Sequence, residues 1–350
     1  VSYSGKRKVA RRRFLQGLGV ATGAVVIGTM LGEDDTLSDG IFPITLQLGW
    51  LSSNGVIGEL VADELGYFAE AGLSLKIVPG GPNIDGVGSV VSAQANLGSV
   101  SSSPSLILAR AAGLPIKCIA VGFQRHPFTY FSLKGNPVYS PKDLIGKTVA
   151  TQGTARILLR ALLAQHNIAE EDVNVTVMGG DTAALMTGQV DVVTGWNSNM
   201  NALSILGDER VEMSLWDAGF QLYANPYYVT DKMLLRHRDK IEATIRVIAK
   251  GWGWVYENPE KAVEILVSRY PNLDKQTELH AVKLISDFSF NENTAQNGWG
   301  TMAPAVWRAQ IDAYDKLDQF EGDPPKLEDL MTLSILEATA ADRPKYGKKA

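Results

Sequence analysis

The sequence predicts an α/β protein of two similar lobes, each a mostly parallel sheet flanked by helices, with a hinge between them. Three observations carry this. Strand-like and helix-like stretches alternate from residue 44 to about residue 194. The order strand, Gly-Gly, helix, strand occurs twice, and each copy runs into a polar cluster.

Residues 44–50 alternate apolar and polar side chains as a half-buried strand does, and 58–70 carry a helical stripe of Leu60, Val61, Leu65 and Phe68. The stretch 73–78 reads as a strand ending in Gly80-Gly81-Pro82, 87–95 as a helix and 96–100 as a short apolar strand. The second half repeats the scheme: strand entry at 144–151, helix at 154–166, strand at 173–178 ending in Gly179-Gly180, helix at 182–188, strand at 190–194. The polar clusters are Ser101-Ser102-Ser103 in the first half and Trp196-Asn197-Ser198-Asn199 in the second. Ligands of open α/β sheets bind beyond the carboxyl ends of strands, so the two clusters are expected to face one cleft. From about 230 onward the pattern is helical (241–256, 260–270, 277–288) and is expected to return to the first lobe. The expected organisation is lobe I from 44–122 plus 228–335, lobe II from 129–218, crossovers near 122–128 and 219–228, and a C-terminal tail at 336–350.

The first 31 residues differ from the rest. They hold Lys6, Arg7, Lys8, Arg11, Arg12 and Arg13, no acidic residue, and a glycine-softened apolar run from Phe14 to Leu31. A basic segment followed by such a run is an export signal, and Arg11-Arg12-Arg13-Phe14-Leu15-Gln16 resembles the twin-arginine type. The alternative is an uncleaved signal anchor, since the run approaches spanning length. Residues 32–43, acidic and turn-rich, read as a linker. Without the six N-terminal charges the net charge of −5 becomes −11 for 32–350, which argues against nucleic acid as a partner.

The single cysteine, Cys118, falls in a strand-like run and reads as a buried hydrophobe, so no disulfide framework is expected. The four histidines show no metal-ligand spacing, and no cofactor is expected. Trp50 ends the first strand, where an indole offers a stacking face or, alternatively, core packing. Trp196 is expected at the equivalent exit of lobe II, so that the two rings close on one planar or cationic solute. Ser101, Ser102 and Ser103 precede Pro104 and a helix: Ser103 either caps that helix or, with the free amides, forms a polar site. Gln152-Gly153-Thr154 is expected to repeat this geometry, with glycine permitting close approach. Asn83 and Asn197 could supply amide donors and acceptors or serve as turn residues. Asp217 and Tyr223 flank the second crossover, where Asp217 could meet a ligand cation or brace the hinge. Trp252, Trp254, Trp299 and Trp307 read as core.

Several short stretches, in order, resemble a known family: Leu48-Gly49-Trp50, Gly58, Ala62, Gly66-Tyr67-Phe68-Ala69-Glu70-Ala71-Gly72-Leu73, Gly80-Gly81-Pro82, 109–115, 143–149, Asp191 and Trp196. Over about 45–270 the chain is similar to the nitrate/sulfonate/taurine-type and thiamine-pyrimidine-precursor-type periplasmic substrate-binding proteins of ABC transporters. The resemblance implies the type II periplasmic-binding-protein fold, an exported monomer, and delivery of a small-molecule solute to an ABC permease and its ATPase. It also raises two alternatives: a pyrimidine-synthase-like enzyme of thiamine precursor synthesis, or a periplasmic sensory protein. The synthase chemistry uses a histidine whose position is Val56 here, and the acid often found before the tryptophan is Gly49. No G-x-S-x-G, Walker or H-E-x-x-H motif is present.

Overall fold

The computed structural model describes residues 40–81, 84–178 and 182–347. The export-signal and twin-arginine expectations, and most of the expected linker, lie outside the described residues. Among the described residues ten strands form two separate five-stranded sheets. The first contains β1 (Phe42–Leu48), β2 (Leu73–Val78), β3 (Leu97–Ser99), β4 (Ile116–Phe123) and, returning late, β10 (Ala224–Thr230), in the order β2-β1-β3-β10-β4. The second contains β5 (Phe128–Leu133), β6 (Thr148–Thr151), β7 (Asn174–Val177), β8 (Val192–Trp196) and β9 (Arg210–Ser214), in the order β7-β6-β8-β5-β9. The two orders superpose strand for strand, with the crossing strands β10 and β5 in the same slot.

The sheets are mixed rather than mostly parallel. In the first, β1 pairs parallel with β2 and β3, but β10 runs antiparallel to both β3 and β4. In the second, β6 pairs parallel with β7 and β8, but β5 runs antiparallel to β8 and β9. The cause is the crossing between lobes: a strand that enters from the other lobe arrives without a right-handed crossover and inserts in the opposite sense. The N-terminal edge also starts earlier than the sequence pattern implies. Phe42 and Pro43 belong to β1, in register with Leu73 and Ser74, not to a linker.

Burial explains the strand sequences. β1 alternates buried Phe42, Ile44 and Leu46 with half-exposed Pro43 and Thr45, whereas β4 and β10 are buried along nearly their whole length, Lys117 and Thr230 excepted, as strands covered on both faces are. The helical return packs on this first sheet. Trp252, Trp299 and Trp307 are fully buried, Trp252 stacking on Trp299 with centroids 6.2 Å apart and standing edge-on to Phe123 at 5.7 Å. The helices Ile57–Glu64 and Arg238–Glu257 cross closely enough that a Cβ on Gly251 would lie 2.1 Å from the Gly58 carbonyl oxygen. The helical stripe expected over 58–70 is broken at Gly66, whose φ of 76° only glycine adopts without strain. Residues 336–347 are no free tail. Arg343 is buried and donates to the carbonyls of Gly298, Trp299 and Leu336, and Tyr346 stacks on Tyr256 at 4.6 Å.

Candidate functional site

The carboxyl ends of β1, β3, β6 and β8 open on one cavity of ≈ 480 Å³, within the range of about 300–1,000 Å³ that small-molecule pockets occupy. Of the expected ligand contacts it brings together Trp50, Ser101, Ser102, Gln152 and Trp196. The shared topology revises how they correspond. Trp50 follows β1, whose counterpart is β6, so its equivalent is Gln152. The serines follow β3, whose counterpart is β8, so Trp196 is equivalent to the serine cluster and not to Trp50.

Other expected contacts lie outside this lining. Ser103 is fully buried and donates to Gln310 Oε1 at 2.6 Å, because Ser102 rather than Ser103 is the N-cap of the helix Ser103–Ala111 and the next residue turns inward. Tyr223 is buried, its hydroxyl accepting from the Ala303 amide at 2.8 Å. Asp217 is 64% exposed and paired with Arg125, so it joins the two crossovers as a brace. Asn197 is not part of the cavity lining; its backbone N–H donates to the Pro127 carbonyl at 3.1 Å. Gly153 opens a 3-10 turn and is exposed. Asn83 and the side chain of Thr154 lie outside the described residues.

Several lining residues have no local signature in the sequence. Glu278, 3% exposed, reaches in from the helix Lys275–Ser289. Its carboxylate accepts from Asn54 Nδ2 at 2.8 Å and from Asn201 Nδ2 at 3.3 Å. Asn54 belongs to lobe I and Asn201 to lobe II, so one carboxylate ties the two lobes. Asn54 also donates to the Ser198 carbonyl at 3.3 Å, directly across the cleft. Burial holds the Glu278 carboxyl above the usual carboxylate range, and the Asn54 amide offsets part of that rise. The one advance signal was the turn sequence Ser53-Asn54-Gly55 just after Trp50.

The chemistry of the walls is uneven. Among the described residues the charged lining groups are Asp85 and Glu278, and no lysine, arginine or histidine lines the cavity. Asp85 caps the helix Gly86–Val91 by accepting from the Gly88 amide at 2.8 Å. Lobe II presents Trp196 together with the buried rings of Phe128 and Phe131, and Thr194. Trp196 rests on Phe123 (6.0 Å) and stands edge-on to His126 (5.8 Å), so part of its surface is packed rather than free. Trp50, also half-buried, lines the cavity from lobe I. Among the described residues no cluster of histidine, cysteine and carboxylate side chains could hold a metal ion, and no helix is long and apolar enough to cross a membrane.

Two lobes joined by two crossing segments, the chain returning to the first sheet as β10, and enclosing a ligand-sized cavity have the periplasmic-binding-protein fold. The aliphatic sulphonate binding protein SsuA of Escherichia coli superposes with a TM-score of 0.65, covering 84% of this chain and 99% of that one at 15% identity. A family model described as NMT1/THI5 like matches residues 53–262, more than half of the chain, and the protein belongs to that family. Curated relatives include the riboflavin-binding protein RibY of Chloroflexus aurantiacus, 29% identical over 218 residues. That match covers 60% of this chain and 62% of the relative's length. The formylaminopyrimidine-binding protein of Halalkalibacterium halodurans is 26% identical over 302 residues, 82% of this chain and 90% of that one.

Proposed function

We propose that this protein captures a neutral or cationic planar nitrogen heterocycle between its lobes and delivers it to an ABC permease and its ATPase. One observation carries the ligand class: the cavity joins aromatic side chains from both lobes to two carboxylates, with no basic side chain on its described walls. A buried anion without a cationic or strong donor partner loses several kcal/mol of hydration, roughly, which sulfonate or nitrate would suffer here next to Glu278. A flat heterocycle gains stacking on Trp50 and Trp196 and can donate to or accept from the hydroxyl and amide groups. The relatives named for riboflavin and formylaminopyrimidine binding support the same class; the sulphonate-binding neighbour, at 15% identity, bears on the fold alone. Calorimetric titration with riboflavin, formylaminopyrimidine and an alkanesulfonate tests it. A heterocycle is expected to bind and the sulfonate not; tighter binding of the sulfonate would overturn the reading.

Mechanistically, an open form exposes both walls, and solute bridging them adds contacts available only on closure. The Glu278 carboxylate, with Asn54 and Asn201, is the protein's own contribution to the closed state. Delivery requires export, which the basic run 6–13 and the following apolar stretch support. Replacing Arg11 and Arg12 by lysine is expected to hold the chain in the cytoplasm, and normal export of that variant on fractionation would remove the twin-arginine route.

A further inference from the structure

Ser102 is the N-cap residue of the helix Ser103–Ala111, yet its side chain makes no cap hydrogen bond. N-cap serines ordinarily accept from a first-turn amide. This hydroxyl turns instead to His126, with Oγ 2.7 Å from Nε2. His126 stands in the first crossover behind the cavity wall, 1% exposed. Its other ring nitrogen, Nδ1, lies 3.1 Å from the Phe128 amide nitrogen, which donates to it. An amide N–H aimed at Nδ1 excludes a proton there, so a neutral ring carries its single proton on Nε2. Burial pushes the imidazole pKa down to about 3, so the ring is neutral near pH 7. Nε2–H then faces Ser102 Oγ at 2.7 Å, with the Ser101 backbone carbonyl as a second acceptor, so the hydroxyl cannot donate to that nitrogen. The hydroxyl is used as an acceptor, and its own proton is left for another partner. Among the described residues no protein acceptor takes that proton, and Ser102 lines the cavity.

The same geometry removes the other role a serine–histidine pair suggests. A general base needs its lone pair on the nitrogen facing the hydroxyl. Here that nitrogen holds the proton, so the pair cannot generate a nucleophile without breaking the Phe128 contact.

We infer that Ser102, oriented by His126, is a fixed hydrogen-bond donor on the lobe I wall that selects heterocycles presenting a carbonyl oxygen or an unprotonated ring nitrogen there. The inference rests on the heterocycle reading above and names the polar edge such a ligand must carry. His126 is a positioning residue. Because it also stands against Trp196, it links the donor of one wall to the aromatic face of the other.

Two measurements test this. Nitrogen-15 NMR of the His126 imidazole in the ligand-free protein is expected to show a protonated Nε2 and a bare Nδ1, unchanged from about pH 8 to about pH 5. A proton on Nδ1, or titration inside that window, overturns the inference without reference to any ligand. Riboflavin and formylaminopyrimidine are then titrated into the wild-type protein, Ser102→Ala and Ser102→Thr. Ser102→Ala is expected to weaken whichever probe binds by about tenfold, and Ser102→Thr, which keeps the hydroxyl, by no more than about threefold. Unchanged affinity of Ser102→Ala, with an unchanged melting curve, overturns the inference. If neither probe binds the wild-type protein, the heterocycle reading fails, and the NMR spectrum alone decides where the proton and hence the donor lie.

Discussion

Lobe I and lobe II share a strand order but not an interior. Lobe I carries the helical return, three fully buried tryptophans and a carboxylate, Glu59, sealed in its core. Among the described residues lobe II buries no charged side chain, and its small second core is built from residues such as Phe131, Leu185 and Val193. The cleft walls differ in the same way. Lobe I and the return supply both acids, the serines and one ring, Trp50; lobe II supplies three rings, Phe128, Phe131 and Trp196, with neutral amides and hydroxyls and no charge. Equivalent strand ends therefore carry non-equivalent chemistry, serines after β3 and a tryptophan after β8. On the proposed reading both walls offer a ring, and the charged and fixed polar contacts come from lobe I and the return.

The largest effect that sharpens this contrast is in the lobe I core. Glu59 is fully buried and accepts from the Tyr227 hydroxyl; burial raises its pKa from 4.5 to about 7, the Tyr227 bond offsetting part of the rise. A carboxyl with a raised folded-state pKa contributes stability that is complete below pH 4.5 and is lost as pH rises to about 7, levelling off above. The loss is on the order of 3 kcal/mol. Glu59→Gln should flatten that part of the stability–pH curve, measured by denaturant unfolding from pH 4.5 to 8. Parallel curves for wild type and variant would mean that the acid is not sealed in the core, and lobe I would lose its distinction from lobe II.

Next come the two tryptophans of the cleft. Trp50→Ala and Trp196→Ala should each weaken heterocycle binding at least about tenfold, the ratio that 1.4 kcal/mol represents. They should differ in melting. Trp196 packs on Phe123 and His126, so its truncation lowers Tm by several degrees, on the order expected for about 1–2 kcal/mol. Among the described residues Trp50 has no such ring neighbours, and its truncation should leave melting nearly unchanged. Equal melting losses would make both residues core, and the division between a supported and an unsupported ring would be lost.

The smallest effect concerns the tie between the lobes. Asn201→Ala removes lobe II's bond to Glu278 and leaves Asn54 in place. Binding should weaken about threefold, the ratio that one modest hydrogen bond supplies, with no change in melting and a shift toward the open form in X-ray scattering. A scattering profile identical to wild type would place lobe closure elsewhere.

Periodicity and punctuation determined much of this protein from the sequence alone. The repeated strand–helix–strand units, the burial of Cys118 and the core role of Trp252, Trp299 and Trp307 follow from local pattern, because apolar spacing and glycine placement act within a few residues. The cleft positions of Trp50, Ser101, Ser102, Gln152 and Trp196 were legible for the same reason, each sitting just beyond a strand. What pattern could not fix depends on contacts between distant segments. The antiparallel insertion of β10 and β5 is decided by the crossing between lobes. Ser103 and Tyr223 turn from the cavity because partners at Gln310 and Ala303 lie on the returning helices. Glu278 enters the site from more than 200 residues beyond Asn54. The donor role of Ser102 is set by a histidine 24 residues away whose proton is placed by a third residue's amide. Hydrogen bonds of that kind leave no periodic trace, since a side chain's partner is chosen by three-dimensional proximity and only the folded chain specifies which groups meet.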